Sequence, residues 1–279
     1  QLSISRVTEN GLSIAGFSAF GASCTNLSLL GRNLISSEIL NNPAQIFFGS
    51  VLAPWPNRLK DGWFELEGQR YQFAGLDDQS NANHGLISYQ SLEVRDHQES
   101  EITFGHRFGN SEYPFEVDLE IRYSIGDSFV FEAKAQNLGT KTAPFALGFH
   151  PYYRLKGNAR MRSNVSRHAI TDWRLIPTEV EEIEPLDFRF PSDVKLDSGF
   201  SGDWSVQFET EEFSVEITQV NMPHLMLYTP PTSPFADGTP SLAIEPMSGP
   251  ANAFQTEIEK HLLAPGETRS YRYEVRSLN

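Results

Sequence analysis

Glu245 stands between an apolar run and a turn rich in proline and glycine, in Ser241-Leu-Ala-Ile-Glu-Pro-Met-Ser-Gly-Pro-Ala-Asn-Ala-Phe254. Pro246 biases the residue before it toward extended backbone, and Leu242 and Ile244 read as the inward face of a strand. The spacing therefore predicts a carboxylate held at a strand end, where a general base is useful. Two histidine-centred segments offer partners: Asn81-Ala-Asn-His84-Gly85 and Leu147-Gly-Phe-His150-Pro-Tyr-Tyr-Arg154. A carboxylate and an imidazole ordinarily titrate at about 4.3 and about 6.5. Together they suit acid–base chemistry on a small polar substrate. Arg58 adds five fixed hydrogen-bond donors to hold hydroxyl groups or developing negative charge.

These residues need a scaffold, and the patterning around them is that of β-strands. Strict alternation runs through Glu116–Tyr123, Ser128–Ala135, Phe213–Thr218 and Tyr271–Arg276, each reading as a half-buried antiparallel strand. Turn residues punctuate the chain at Asn10-Gly11, Gly31-Arg32-Asn33, Asp61-Gly62, Glu67-Gly68, Gly126-Asp127 and Asn137-Leu-Gly139. Long helical periodicity is absent; short helices are expected only at residues 57–60 and 257–261. The acidic run 179–184 and the proline-rich run 229–234 read as surface loops, of the kind that rim binding sites. The expectation is an all-β protein, a large antiparallel β-sandwich with few short helices. No repeat, linker or composition break divides the 279 residues, so one domain over 1–279 is expected.

Composition narrows the partners. A formal charge of −14 argues against nucleic acid and anionic membranes, which require clustered Lys and Arg. The lone Cys24 cannot form an internal disulfide, so the fold does not rely on an oxidising compartment. No apolar run of about 18 residues spans a bilayer. The basic-then-apolar pattern of a signal peptide is not seen at the start of this sequence. A cytoplasmic monomer or homodimer acting on a neutral small molecule is the expectation.

Four segments, in order, resemble the aldose 1-epimerase (galactose mutarotase-like) family. They are Leu52-Ala-Pro-Trp-Pro-Asn57-Arg58-Leu-Lys-Asp-Gly-Trp63, Asn83-His84-Gly85-Leu86, Gly148-Phe-His150-Pro-Tyr-Tyr-Arg-Leu155 and Ile244-Glu245-Pro-Met-Ser-Gly-Pro-Ala-Asn252-Ala-Phe254. A fifth, Leu196-Asp197-Ser-Gly-Phe200, resembles the family's sugar-binding Asp turn, with Asp193 and Asp203 as neighbouring alternatives. The resemblance covers essentially the whole chain. It implies a super-sandwich of antiparallel sheets with an open cleft, and interconversion of the anomers of a monosaccharide such as galactose or glucose. It further implies Glu245 as general base on the anomeric hydroxyl and His150 as general acid on the ring oxygen. Arg58, His84, Asp197 and Asn57 would bind the sugar, with no cofactor and no metal.

Other readings stay open at this level. His84, His150 and Glu245 are a familiar zinc donor set, although no H-x-H or H-E-x-x-H spacing supports it. A non-catalytic carbohydrate-binding protein can share the fold. An anionic sugar, a hexose 6-phosphate or sulfonated sugar, would need a cationic cluster, for which Arg154, Arg95 and Lys60 would have to converge. Arg58 can also be a surface cation paired with Asp61. Taking His150 as an acid further requires a neighbouring acid or carbonyl that raises its pKa. His224, beside the apolar Leu225-Met-Leu-Tyr228, can reach a cleft from an adjoining strand, whereas His97, His106, His168 and His261 read as surface or structural.

Overall fold

A computed structural model of the protein describes residues 2–36, 38–39, 46–190 and 195–279. Within them the chain is built of antiparallel strands arranged mainly in two large sheets. The nine-stranded sheet runs, in spatial order, Glu93–His97, Glu101–Arg107, Val117–Ile125, Ser128–Asn137, Thr268–Ser277, Ser214–Val220, Ser205–Glu209, Ala159–Ser163 and Leu186–Phe190. All four alternating segments of the sequence lie in this sheet. In Val117–Ile125 the odd-numbered residues are buried and the even-numbered ones are wholly or partly exposed, as one covered face demands.

The second sheet carries the chemistry-bearing segments. Its order is Pro177–Glu182, Arg167–Thr171, Asp197–Ser201, His224–Tyr228, Ser241–Met247, Gly148–Phe149 and Val51–Leu52, with Tyr152–Arg154 also pairing onto Ser241–Met247. A four-stranded sheet of Leu2–Thr8, Gly11–Ser18, Ser23–Leu29 and Arg32–Ile35 completes the larger layers. The two large sheets meet through aromatic side chains. Phe131 stacks on Phe149 at 4.9 Å, and the Tyr153 and Tyr273 hydroxyls are 2.5 Å apart. A contiguous apolar cluster joins residues from all three sheets, which supports the single-domain reading that we propose for the chain.

Three local expectations are corrected. Residues 58–60 form a strand, not a helix, because Arg58–Lys60 pairs with Asn81–Asn83 and tertiary pairing overrides local preference. The acidic run is largely the exposed edge strand Pro177–Glu182 instead of a loop, its charges facing water as an edge requires. Asp197 opens the strand Asp197–Ser201 and is not part of a turn. The second helical expectation is met by the short 3-10 helix Ile258–His261, which follows the four-residue helix Ala253–Thr256. Asp193 lies outside the described residues.

Truncating Phe131 to Ala removes the ring that bridges the two large sheets. It is expected to lower unfolding free energy by about 3–5 kcal/mol, read from a shifted denaturant midpoint.

Candidate active site

Strand register brings Glu245 and His150 together. Tyr152 pairs with Ala243 and Gly148 with Met247, so His150 falls directly opposite Glu245. Between those pairs the ladder is interrupted by Pro151 and Pro246, neither of which has an N–H to donate. The interruption costs Pro246 no hydrogen bond, and the strand continues through it to Met247. Glu245 is therefore inside a strand, not at its end as the sequence suggested. His150 Nε2 lies 3.4 Å from Glu245 Oε1, with the side chains 5% and 2% exposed.

Period-two alternation fixes what else shares their face. Leu242, Ile244, Leu225 and Leu227 point into the core and are fully buried. The opposite face presents Asp197, Tyr228 and Ala243 in one row, then Gly199, Met226 and Glu245, then Ser201, His224 and Met247. Tyr152 packs against the His150 ring at 4.8 Å. A cavity of about 290 Å³ lies over the first two rows, and its wall includes Asn57, Arg58, His84, His150, Asp197 and Glu245. All six site residues expected from the sequence thus meet at one hollow. Asn83, Tyr228, Met226 and Phe47 also line it and were not singled out beforehand, since nothing in their local sequence marks the face they occupy. Pro230, Pro231 and Pro234 form part of the wall, so the proline-rich run does border this cavity.

The roof is made by two backbone bends. Asn57 and His84 both have left-handed φ angles, 57° and 61°. The Asn57 amide donates to His84 Nδ1 at 3.1 Å, while the His84 amide donates to the Asn57 carbonyl at 2.9 Å. Gly85 is required beside them, because it adopts φ +68° and an added Cβ would lie 2.2 Å from the Ala53 carbonyl oxygen. The bond to Nδ1 sets the His84 tautomer: its hydrogen must sit on Nε2.

That tautomer bears on the zinc reading. One donor atom each from His84, His150 and Glu245 lies within 4.8 Å of the others. With Nδ1 accepting from the backbone and Nε2 protonated, however, His84 has no free lone pair for a metal. The donor set does not fit a three-ligand centre.

Electrostatics are dominated by burial. The low-dielectric surroundings push the Glu245 carboxyl well above the ordinary range; Asp197 adds to the shift and Arg58 opposes it. Burial holds His150 far below the ordinary histidine value, and it holds His84 there too, helped by His150 and Arg58. The expected elevation of His150 is thus not found: burial outweighs the smaller raising effect of its own backbone carbonyl. Its Nδ1 has no close hydrogen-bond partner among the described residues. Glu245 Oε2 and Arg58 Nε are likewise buried without partners among them. Arg58 does not pair with Asp61, which instead binds Arg174 at 2.8 Å. Its guanidinium stands 3.9 Å from Asp77 and 4.0 Å from Asp197, and Nη1 donates to Asn57 Oδ1 at 3.4 Å.

The cations named for an anionic sugar do not converge. Arg154 is buried over the Phe235 ring and bonded to Glu212 and Asp237. Arg95 lies on the other large sheet, paired with Asp118. Lys60 is not among the lining residues of the hollow. Of the aromatics near the motifs, Trp55 packs in the core on Phe73 and Phe149 on Phe131, while Trp63 is covered by Arg70.

The family model described as aldose 1-epimerase matches residues 6–276. The chain belongs to the aldose 1-epimerase family. It is 27% identical to the uncharacterized protein YihR of Escherichia coli K12 over 274 residues, covering 91% of this chain and 87% of that one. It is 24% identical to human galactose mutarotase over 203 residues, 64% of this chain and 57% of that protein. Its fold is shared with the GalM/aldose epimerase homologue of C. elegans (TM-score 0.81, 16% identity, 99% and 98% of the two chains). Galactose 1-epimerase of Lactobacillus acidophilus aligns with a TM-score of 0.78 at 18% identity, over 98% and 93%. These structural likenesses establish the galactose mutarotase-like fold of this aldose 1-epimerase family member.

Burial of neutral histidines has a thermodynamic consequence. His84, His150 and His224 all titrate below their ordinary value of 6.5 when folded, so the unfolded chain binds more protons as pH falls through that value. Stability is expected to decline on acidification below about pH 6.5, by up to about 1.4 kcal/mol per pH unit for each such histidine. Denaturant midpoints from pH 7.5 to 4.5 check this, and His150→Asn should flatten the slope.

Proposed function

We propose that the protein is an aldose 1-epimerase, a mutarotase interconverting the α and β anomers of a free neutral aldohexose such as galactose or glucose. The observation that carries this reading is the 3.4 Å approach of His150 Nε2 to Glu245 Oε1 at the floor of a sugar-sized hollow. A hemiacetal carries its hydroxyl and ring oxygen on the same carbon, so the groups that serve them must themselves be neighbours. Acid and base on opposite walls of a wide cleft would not fit this chemistry.

In the proposed reaction the Glu245 carboxylate takes the proton of the C1 hydroxyl. The C1–ring-oxygen bond breaks as the C1 carbonyl forms, and His150 Nε2 gives its proton to the ring oxygen. Rotation about C1–C2 presents the other carbonyl face, and the reverse transfers close the ring. The pair carries the same number of protons as carboxylate with imidazolium or as carboxylic acid with neutral imidazole. Burial favours the neutral form in the free protein, which is also the form left after ring opening. Arg58 favours the ionised carboxylate and supplies donors for the ring oxygen or a hydroxyl. His84 Nε2–H, Asn57 and Asp197 are assigned to orienting the remaining hydroxyls.

Because the reactive pair must hold one shared proton, kcat/KM is expected to fall at both ends of the pH range and give a bell. Polarimetry on freshly dissolved single anomers tests the assignment. Glu245→Gln and His150→Asn are each expected to lose about 10²–10⁴-fold in catalysed rate while remaining folded. Undiminished turnover in the glutamine variant removes Glu245 from the base role, and binding without faster equilibration identifies a sugar-binding protein instead.

A further inference from the structure

The strand Asn81–Asn83 carries two asparagines on one face, and the fold uses them differently. Pairing with Arg58–Lys60 sets Ala82 opposite Leu59, both buried in the core, and turns Asn81 and Asn83 to the other side. Asn81 is engaged at both ends of its amide: Nδ2 donates to the Arg174 carbonyl at 3.3 Å, and Oδ1 accepts from Arg174 Nη2 at 2.9 Å. Arg174 also donates to Asp61 Oδ1 and to the carbonyls of Gln79 and Ser80, so Asn81 is part of a structural fastening. Asn83 makes no side-chain hydrogen bond among the described residues, although its Oδ1 is buried. Buried polar atoms in folded proteins are mostly bonded, so an amide left without a partner calls for a reason.

Its position supplies one. Asn83 stands directly opposite Arg58 in the ladder, which places the two side chains on the same face with Cβ atoms about 4.5–5.5 Å apart. Both line the hollow of Glu245 and His150, and Asn83 does not line the larger compartment beside it. The next residue, His84, is one of the two bends of the roof, so Asn83 reaches the hollow from the roof while the reactive pair stands on the floor. The strand fixes the Asn83 backbone, but nothing holds its amide, and the asparagine χ2 torsion is broad enough to present either end.

The chemistry of the amide is that of a reader and not of a proton carrier. It is neutral, it does not titrate, and it offers an acceptor at one end and donors at the other. An alcohol hydroxyl both donates and accepts, so it satisfies whichever end is turned to it. Arg58 alone lacks this ability, since a guanidinium only donates. The two side by side offer a donor and an acceptor to neighbouring hydroxyl groups.

From the unbonded amide, its place on the roof and its pairing with Arg58, we infer that Asn83 is a specificity-determining residue of the hollow, reading one sugar hydroxyl other than that at C1. The inference rests on the mutarotase reading for which end of the sugar faces the floor, but the discrimination is measurable as binding, without turnover.

Asn83→Leu keeps a branched side chain and removes its polarity, and Asn83→Ala guards against overpacking by leucine. Calorimetry on glucose, galactose and their 2-, 3-, 4- and 6-deoxy derivatives gives affinities, polarimetry gives anomerisation rates, and denaturant midpoints give stability. The wild type is expected to bind one deoxy sugar about tenfold more weakly than its parent, and both variants to bind the parent about tenfold more weakly while losing that discrimination. Asn83→Leu should unfold at the same or a higher denaturant concentration, because the amide it replaces fastens nothing. No discrimination among these sugars by the wild type, unchanged parent affinity in both variants, an equal loss across parent and every deoxy derivative, or a markedly lower midpoint in both variants would each overturn the assignment. Discrimination that depends on Asn83 in a wild type without anomerisation would uphold the assignment and count against the mutarotase reading instead.

Discussion

Everything at this site depends on one cross-strand adjacency, a carboxyl and an imidazole placed opposite each other where two prolines interrupt a hydrogen-bonded ladder. An unbroken ladder would hold its two strands in regular pairing along their whole length. The Pro151 and Pro246 positions relax that pairing without leaving a buried amide donor unsatisfied, because neither residue has an N–H. The flanking pairs on each side keep the register, so the two functional groups are positioned by the sheet and not by a loop. A site built on strands holds its geometry more tightly than one built on connections.

Burial then sets the electrical state of the pair. Removed from water, a separated carboxylate and imidazolium are costly unless each is well bonded, and here Glu245 Oε2 and His150 Nδ1 lack hydrogen-bond partners among the described residues. Burial therefore favours the neutral distribution, a protonated Glu245 with a neutral His150. The His84 tautomer is decided by different means, through a backbone amide from a bend at Asn57. The proton of His84 is thus placed by a backbone contact, whereas in the proposed reaction the proton shared by Glu245 and His150 moves.

The sequence was informative where local rules are strong. Alternation in 117–125 and 128–137, and the turn residues between strands, needed no tertiary information, because period two and positive-φ turns are local properties. It misled where pairing partners decide the outcome. Residues 57–60 read locally as a short helix because nothing local announces Asn81–Asn83 as the partner of Arg58–Lys60. The acidic 179–184 run reads as a loop because an exposed edge strand has almost no buried face to reveal it. The elevation expected for His150 was wrong because a neighbour in sequence does not tell how much water a side chain keeps.

By itself the sequence determined the all-β class, the family to which the chain is matched, and the six residues that come together, since motif order and residue type are written in one dimension. Only the tertiary structure decided that Glu245 lies within a strand and faces His150, that Arg58 leaves Asp61 to Arg174, and that Arg154 and Arg95 lie elsewhere. It alone revealed that the sheet face carrying Glu245 continues into a second compartment beside His224. The physical reason is that register, burial and charge pairing are relations between strands distant in the chain, and they exist only once those strands are hydrogen-bonded and packed.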